Sequence, residues 1–333
     1  MLNCLKCSLR VAMLVVTALQ LTGCDPVPPA QVVTILVTPA GKPEPDTPAR
    51  IVVDERGMTY WANHENHTIV RIDADATTVL LAGMPGVPGH RDGPAHAARF
   101  DSPRGVAVDR DARLWIADTG NHVVRMIDRD GSVRTVAGSA GMAGFADGRG
   151  ETVRFNKPTG IGLDIQGNVL ISDSGNHTLR AITPDGTVRT VAGVPGARGH
   201  YDGTGVVARF DDPQGIAIAG GFIYVADAGS QTLRRVDSSG RVVTVAGRAY
   251  GVGASNGRGA AASLIRPEYL AADRIGNVYI GDTGAGRVRA MDRFGFVRTL
   301  EVRETVHGVA VDSSGLFVIV AGPRVRVAGD TSR

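Results

Sequence analysis

A unit of about 55 residues recurs along this chain of 333 residues, and this recurrence limits the possible folds more than any other feature. Pro48, Pro103, Pro158 and Pro213 follow one another at intervals of 55 residues, and Pro267 follows after 54. A fixed period of this size is typical of an array of one supersecondary unit. Because all-β chains of this length often form one domain, we expect a single closed array.

Each full copy of the unit divides into four strands. In the second copy, short apolar runs predict strands over residues 105–109, 114–118, 122–128 and 132–137. Turn signals separate them, among them Asp130-Gly131, a dipeptide that supports a tight hairpin between antiparallel strands. Four-stranded antiparallel units in series are typical of the blades of a β-propeller, so the sequence predicts an all-β propeller fold.

Six blades are predicted, beginning near residues 48, 103, 158, 213, 267 and 306. The last copy is one strand short. A β-branched segment over residues 32–37 resembles the fourth strand of the other copies, such as residues 133–138. We therefore predict that this N-terminal strand completes the sixth blade and closes the ring, which leaves no open strand edge at the seam. The propeller domain would then span residues 31–333.

The N-terminus has the pattern of an export signal. The basic residues Lys6 and Arg10 precede a nine-residue apolar run over 11–19. This run is too short to span a bilayer and has the length of a signal-peptide core. The following Leu-Thr-Gly-Cys24 resembles the lipobox of bacterial lipoproteins. This resemblance implies that residues 1–23 are removed as a signal peptide and that Cys24 is lipidated.

A lipidated Cys24 predicts where the protein resides. Residues 24–30 would form a Pro-rich tether between the lipid and the propeller. Asp25 resembles the signal that retains enteric lipoproteins on the inner membrane. We therefore expect a membrane-anchored lipoprotein in the periplasm or at the cell surface.

Processing would leave a nearly neutral chain without a disulfide. Cys4 and Cys7 form a C-x-x-C pair inside the segment to be removed, so only the acylated cysteine remains. The formal net charge of +3 would fall to about +1 once two basic residues are lost. A neutral, exported protein has little attraction for nucleic acid, which is therefore not an expected partner. We expect a monomeric propeller.

The first part of each copy resembles the NHL repeat. The two strongest copies are GVAVDRDARLWIADTGNHVVR at 105–125 and GIGLDIQGNVLISDSGNHTLR at 160–180, and weaker copies begin at Gly215 and Tyr269. The glycine-rich remainder of each copy is similar to the long-loop NHL arrays of bacterial exported proteins and teneurins. The resemblance implies a six-bladed propeller that binds proteins or other ligands, while a minority of related propellers are metal-dependent lyases or lactonases. Fold is therefore better defined than function.

Long loops join the fourth strand of one copy to the first strand of the next. Their glycines lie three apart, as at Gly83, Gly86 and Gly89, but a phosphate-binding loop would also need a following helix and usually a Lys-Ser/Thr pair. Strand alternation places these loops on the same face as the turns after the second strand, here called the long-loop face. Loops on a rigid scaffold are the usual place for binding. The predicted binding residues are His90, Asp92, Phe145, Asp147, His200, Tyr201, Asp202, Tyr250 and Asn256.

Two alternatives are open for the aspartates that end the second strands. They either cap turns by accepting backbone N–H groups, or they form a ring of carboxylates near the axis that holds Ca²⁺. His307 is the histidine best placed to face the channel mouth, where a Zn²⁺ site would need three or four converging ligands. The resulting candidate metal ligands are Asp118, Asp173, Asp227, Asp282 and His307.

Other residues recur at fixed places in the copies and are assigned structural roles. We expect His67, His122 and His177 to serve a turn or strand. Arginines in the third strands are expected to form a half-solvated rim, with a stripe that binds anions or acidic partners as the alternative. An Arg-Phe pair before each first strand is expected to plug the gap between blades with its aromatic ring, while its arginine binds a loop aspartate or carbonyls. These sets are Arg125, Arg180, Arg234 and Arg289, then Arg99-Phe100, Arg154-Phe155, Arg209-Phe210 and Leu264-Ile265.

The sequence favours a binding scaffold over an enzyme. No nucleophile–base pair or paired carboxylates stand out from the repeat, so no catalytic residue and no cofactor are assigned. The expected function is to bind a protein, peptide or glycan on the long-loop face. The alternative is a metal-dependent lyase or hydrolase acting in the central channel, with Ca²⁺ or Zn²⁺ as its metal.

Overall fold

A computed structural model describes most of the chain after its N-terminal segment. The predicted signal peptide, the tether and the closing strand at 32–37 lie outside the described residues, so these three assignments remain predictions. The described residues are 50–73, 77–300, 306–311, 317–321 and 324–328.

The strands form six antiparallel sheets in chain order. The first contains β1 (Arg50–Val53), β2 (Thr59–Asn63), β3 (Thr68–Ile72) and β4 (Thr78–Gly83). The second contains β5 (Gly93–Pro94), β6 (Pro103–Val108), β7 (Leu114–Asp118), β8 (Val123–Ile127) and β9 (Ser132–Ala137). The third contains β10 (Gly148–Arg149), β11 (Pro158–Leu163), β12 (Val169–Asp173), β13 (Thr178–Ile182) and β14 (Thr187–Ala192).

The remaining sheets continue the same plan. The fourth contains β15 (Gly203–Thr204), β16 (Pro213–Ala219), β17 (Phe222–Asp227), β18 (Thr232–Val236) and β19 (Arg241–Ala246). The fifth contains β20 (Gly257–Arg258), β21 (Pro267–Ala272), β22 (Val278–Asp282), β23 (Arg287–Met291) and β24 (Phe296–Leu300). The sixth contains β25 (Val306–Val311), β26 (Phe317–Ala321) and β27 (Arg324–Ala328). Short 3₁₀ turns occur at Thr119–Asn121, Gly150–Thr152, Ser174–Asn176, Gly205–Val207 and Thr283–Ala285.

The predicted all-β propeller is confirmed. The innermost strands contact one another in a ring, in the order β1, β6, β11, β16, β21 and β25, and β25 returns to β1. Five sheets are complete blades, and the sixth has three described strands. In blade 2 the predicted strands 114–118 and 132–137 have the observed bounds, whereas the first strand begins earlier, at Pro103.

Each of blades 2 to 5 has a fifth strand that the sequence did not reveal. In blade 2 the two-residue β5 lies beyond β9 and pairs with it, with Gly93 opposite Val133. Since β5 belongs to the long loop that leaves blade 1, each loop extends along the outer edge of the blade that follows it. The prediction of four strands per blade is corrected accordingly.

The predicted aromatic plugs between blades are confirmed. Phe100 is fully buried in a cluster that contains Ala62 and Ile69 of blade 1 and Ile116 of blade 2. Phe155 and Phe210 are buried in the same way. In the fifth blade the plug is Leu264, three residues before Pro267 as Phe100 is before Pro103, so the predicted alignment of Leu264 with the arginine is wrong by one residue.

The arginine beside each plug binds carbonyl groups, one of the two predicted outcomes. The Arg99 Nη1 group donates to Ala97 O at 3.0 Å and to Ala98 O at 2.8 Å. Arg154 and Arg209 donate to carbonyls of their own loops in the same manner. These bonds hold the returning part of each loop in its bent shape.

Candidate functional site

The long loops and the turns after the second strands lie together, as strand alternation predicted. Gly86 N donates to Asn66 O at 3.1 Å, and Gly141 N donates to Asn121 O at 3.1 Å. The side chain of Asn121 donates in turn to Gly89 O at 2.8 Å. The long-loop face is therefore a continuous hydrogen-bonded surface.

The strand-three arginines do not form a half-solvated rim. Arg125 is fully buried, because the incoming loop covers the strand that would otherwise be outermost. Its Nη1 group donates to Asp118 Oδ2 at 2.9 Å, and its Nη2 group donates to Asp92 Oδ1 at 2.6 Å. It also donates to Arg99 O at 2.9 Å and Arg91 O at 2.8 Å.

We call this arrangement the arginine lock. It contains one buried arginine, one aspartate from the same blade and one acidic or amide residue from the incoming loop. The prediction of a solvated rim is wrong for all four arginines, and their charges are neutralised inside the blades. The other locks are Arg180 with Asp173 and Asp147, Arg234 with Asp227 and Asp202, and Arg289 with Asp282 and Asn256.

The described structure favours the turn role of these aspartates over the alternative of a carboxylate ring near the axis. Asp118 accepts Asp101 N at 2.8 Å and Asn121 Nδ2 at 2.8 Å, in addition to its arginine. Each aspartate ends the second strand of its blade and points into that blade's lock, so the four carboxylates do not converge. Within the described part of the chain, no group of three His, Cys, Asp or Glu side chains is placed to hold a metal ion.

Burial raises the pKa of the lock aspartates, although the arginine beside each one opposes the shift. The pKa of Asp118, Asp173 and Asp282 is raised to about 6, and that of Asp227 to about 7. Desolvation disfavours the ionised form of any buried carboxyl. The locks are therefore structural elements with a dependence on pH.

Six of the nine predicted binding residues are used to attach the loops. Asp92 Oδ2 accepts Thr135 N at 2.8 Å, and Thr135 also bonds His90 Nε2 at 2.8 Å. Burial lowers the pKa of His90. Burial alone would raise the pKa of Asp92, but the bonds from Thr135 and Arg125 outweigh it and the pKa is lowered. The same contacts recur at Asp147, His200, Asp202 and Asn256.

The other three predicted binding residues are exposed aromatic side chains. Phe145, Tyr201 and Tyr250 are 39%, 61% and 54% exposed. Met142 and Val252, on the same kind of loop, are 53% and 90% exposed and were not predicted. These apolar side chains belong to the long-loop face but are not buried in the blades.

Tyr250 occupies a backbone position that the other loops fill with glycine. Its φ is 54°, close to the 70°, 73° and 71° of Gly86, Gly141 and Gly196. A residue with a side chain is disfavoured in this left-handed region relative to glycine. This tyrosine and the exposed side chains make the loop between blades 4 and 5 the least regular part of this face.

The Tyr250 loop lies beside a buried carboxylate. Asp211 forms an ion pair with Arg198, with a distance of 2.6 Å between Nε and Oδ1. Arg198 is largely exposed whereas Asp211 is buried. Burial, and next the negative charge of Asp211, raise the pKa of Tyr250.

The repeated histidines serve turns, as predicted. His67, His122 and His177 have φ values of 58°, 59° and 58°. The Nδ1 atom of His122 accepts Lys157 N at 3.0 Å, so the ring joins one blade's turn to the chain that enters the next. His67 and His177 accept Ser102 N and Asp212 N in the same way.

A central channel runs between the inner strands of all six sheets. It encloses about 270 Å³. The side chains that line it are apolar except for those of Arg50 and Tyr269, but polar atoms contribute about as much of its surface as apolar atoms do. One register position along the six strands is occupied by Val53, Val108, Leu163, Ile218, Ala272 and Val311.

The channel mouth is the second place where the repeat is broken. Arg50 and Tyr269 occupy the register position that is glycine in blades 2 to 4, as at Gly105 and Gly160. A Cβ added to Gly105 would lie 2.2 Å from Thr159 O, and one added to Gly160 would lie 2.0 Å from Gln214 O. Gly105 and Gly160 therefore have no room for a side chain beside the neighbouring strand, whereas the positions of Arg50 and Tyr269 do.

Arg50 contacts two other blades across the mouth. Its Nη2 group donates to Gln214 Oε1 at 3.1 Å and to Glu268 O at 3.3 Å. Its Cζ atom lies 6.0 Å from the centre of the Tyr269 ring. Burial lowers the pKa of Arg50 to about 10 and raises that of Tyr269 to about 12.

The sequence did not lead to Arg50 or Tyr269 as site residues. The signal was present, since both depart from the glycine of the other copies. His307 was chosen instead, and its backbone does lie on inner strand β25, immediately before Gly308. Its side chain lies outside the described atoms, so its role at the mouth remains a prediction.

The comparisons with known proteins agree with the fold. Residues 100–125 match the family model of the NHL repeat. The chain is 26% identical over 280 residues to human NHL repeat-containing protein 2 and 31% identical over 222 residues to teneurin-m of Drosophila melanogaster. The chain carries an NHL repeat and is distantly related to NHL repeat-containing proteins and teneurins.

These relatives are much longer proteins. The matches cover 74% and 57% of this chain but only 38% and 8% of the two relatives. Among solved structures, a gluconolactonase from Xanthomonas campestris is similar with a TM-score of 0.62 and 16% identity, over 90% of this chain and 89% of that one. An auxiliary nutrient binding protein from Bacteroides thetaiotaomicron has a TM-score of 0.62 and 13% identity, over 85% and 68%. At these identities the likeness shows the fold alone.

A search of the described residues for a helix long and apolar enough to cross a membrane finds none.

Proposed function

We propose that this NHL-type propeller is a lipid-anchored binding scaffold outside the cytoplasm. The lipobox-like sequence ending at Cys24 supports the anchor, and Asp25 supports retention at the inner membrane. A sixth blade completed by the strand at 32–37 is part of the proposal. The long-loop face would bind a protein, peptide or glycan.

One observation carries the choice of this face. The polar residues that the copies share form the locks and attach the loops to the blades. The residues that differ between copies include exposed side chains on the long-loop face. Tyr201, Tyr250 and Val252 are each more than half exposed and make no contribution to the buried clusters. Aromatic and apolar side chains held on structured loops are typical of binding surfaces.

The test compares the two faces of the propeller. A variant with Tyr201→Ser, Tyr250→Ser and Val252→Ser removes exposed side chains from the long-loop face. The matched control carries Ile165→Ser, Ile275→Ser and Phe294→Ser, which are 70%, 60% and 58% exposed on short turns between strands. Lipidated protein is solubilised from membranes, and its co-purifying partners are measured by quantitative mass spectrometry.

We expect the long-loop variant to lose its partners at least tenfold while the control retains them. The reverse result would refute the assignment of faces. Metal analysis of dialysed protein tests the alternative of a metal-dependent lyase or hydrolase. One equivalent of bound Ca²⁺ or Zn²⁺ would contradict a scaffold without cofactor, and retention of Cys24→Ser in membranes would contradict the lipid anchor.

A further inference from the structure

Arg50 has unused hydrogen-bond donors at the channel mouth. Its Nε and Nη1 atoms are shielded from solvent and have no hydrogen-bond partner among the described residues. Both hydrogen bonds of the Arg50 side chain come from Nη2. The one N–H group of Nε and the two of Nη1, three of the five in the guanidinium, therefore have no partner among the described residues. Buried polar groups are almost always paired, so these N–H groups could accommodate a further acceptor at the mouth.

The carboxylates around Arg50 are engaged elsewhere. Glu268 Oε1 accepts Arg266 Nε at 2.6 Å, and Asp212 Oδ1 accepts Gln214 Nε2 at 2.6 Å. Arg50 therefore donates only to a neutral amide oxygen and to a backbone carbonyl. It forms no ion pair within the described ranges. The neighbouring Arg104 adds further positive charge. An acceptor with a negative charge would match these donors best.

The channel below Arg50 favours an apolar group. Its lining residues include Ile51, Val106, Ile216 and Leu270, and its volume of about 270 Å³ lies just below the usual range of about 300–1,000 Å³ for small-molecule pockets. A compact aliphatic tail can contact these apolar side chains. A phosphate would carry more charge than one buried arginine balances.

We propose that the channel mouth binds a small aliphatic monocarboxylate. The carboxylate accepts N–H groups of Arg50, and the tail enters the apolar channel between the inner strands. Tyr269 closes one side of the mouth with its ring. The mouth opens on the long-loop face, because Arg50 and Tyr269 lie where inner strands begin. It does not use the exposed side chains of Tyr201, Tyr250 and Val252, so its test does not depend on the partner-binding function.

The experiment measures binding of octanoate to the mature domain by calorimetry. Octanamide serves as the neutral matched ligand, and acetate serves as the carboxylate without a tail. We expect octanoate to bind at least ten times more tightly than either. The Arg50→Gln variant should weaken octanoate binding at least tenfold, and Arg56→Gln, an exposed arginine of the same blade, should leave it unchanged.

A second variant tests the channel without altering Arg50. Ala272→Leu introduces into blade 5 the residue that blade 3 has as Leu163 at the same register, and it reduces the channel volume. Octanoate binding should fall while acetate binding does not, and a thermal melt confirms that each variant is folded. Equal binding of octanoate and octanamide, or octanoate binding unaffected by both Arg50→Gln and Ala272→Leu, would overturn the proposal. If Arg50→Gln does not fold, the two ligand comparisons and Ala272→Leu decide the question alone.

Discussion

Blades 1 and 2 have the same four strands, but they are stabilised differently. Blade 2 receives a long loop on its outer edge and contains the lock of Asp118 and Arg125. In the same register positions blade 1 has Asn63 and Val70, and its described residues form a four-stranded sheet without a fifth strand. Val70 packs in an apolar cluster that reaches Ala310 of the sixth sheet.

This difference shows what the locks are for. A buried ion pair gains little over a well-packed apolar residue, because both charges must be removed from water. The arginine is needed where a loop presents carbonyls that require donors, such as Arg91 O and Arg99 O. The lock is therefore the interface between a loop and its blade, and blade 1 packs without one.

Removal of a lock arginine should have the largest effect. In Arg180→Met, Asp173 remains buried without its cation and two loop carbonyls lose their donor. An uncompensated buried charge typically costs about 3–5 kcal/mol. We expect the free energy of unfolding, measured in urea, to fall by about this amount.

The double variant Asp173→Asn, Arg180→Met provides the control, because it removes both charges. It should lose less stability than the single variant. A single variant that costs less than about 1 kcal/mol would show that the lock behaves like a surface ion pair. A double variant that costs more than the single one would contradict an uncompensated charge as the cause of the loss.

The second prediction concerns the seam beside blade 1. If the strand at 32–37 completes the sixth blade, truncation before Ala40 should expose a strand edge and remove a row of backbone hydrogen bonds. We expect the melting temperature to fall by at least about 4 °C, which corresponds to about 1–2 kcal/mol for a chain of this size. Truncation before Gln31, which removes only the signal peptide and tether, should leave it unchanged. Equal melting temperatures for the two truncations would exclude closure by this strand.

The third prediction uses the raised pKa of Asp227. Burial raises it to about 7, while the unfolded chain has the ordinary value near 3.8, so the folded protein binds the proton more tightly between these values. This carboxyl therefore contributes more stability as pH falls from 8 to 6. The difference in unfolding free energy between wild type and Asp227→Asn should change by about 1 kcal/mol in favour of wild type over this range.

The comparison with Asp227→Asn removes the effect of the histidines. Burial lowers the pKa of His90, His122, His177 and His200, which acts in the opposite direction below their ordinary value of 6.5. They titrate equally in both proteins. A difference that is constant from pH 8 to pH 6 would show that Asp227 stays ionised beside Arg234.

The smallest expected effect is at Asn256, where blade 5 has an amide in place of the loop aspartate. Its Oδ1 atom accepts Thr299 N at 2.9 Å and Arg289 Nη2 at 3.1 Å. Asn256→Asp would place a carboxylate beside Arg289 and should stabilise the protein by about 0.5 kcal/mol, as a partly exposed pair. The reciprocal Asp202→Asn in blade 4 should destabilise it by a similar amount. Stabilisation by both substitutions would contradict the equivalence of the two locks.

The repeat predicted the blades well because each strand and turn depends on residues that are close together in the sequence. The strands 114–118 and 132–137 follow from apolar runs and turn dipeptides, and Phe100 was recognised from its recurrence before a proline. The locks were missed because they join residues of different copies. Arg125 looks exposed until the loop that contains Asp92, 33 residues earlier, is placed over it.

The candidate site was predicted only in part, for the same reason. Tyr201 and Tyr250 are exposed on the predicted face, and their role in binding stays a prediction. The contacts of Asp92 with Arg125 and Thr135 were not foreseen. Arg50 departs visibly from the glycine of other copies, yet its importance depends on the spacing of neighbouring strands, which at Gly105 would place an added Cβ only 2.2 Å from Thr159 O. Such distances between blades cannot be obtained from one sequence.

The forward reach of each loop also defines the unit in which such a protein can be lengthened or shortened. A copy cut at its prolines, from 103 to 157, separates Asp92 from Arg125 and combines halves of two locks. A cut after Gly83 and again after Gly138 keeps Asp92, Phe100, Asp118 and Arg125 in one 55-residue piece. Gene duplication or engineered deletion at these glycines would move each loop aspartate together with its own arginine, whereas exchange at the prolines would pair the loop of one copy with the arginine of another.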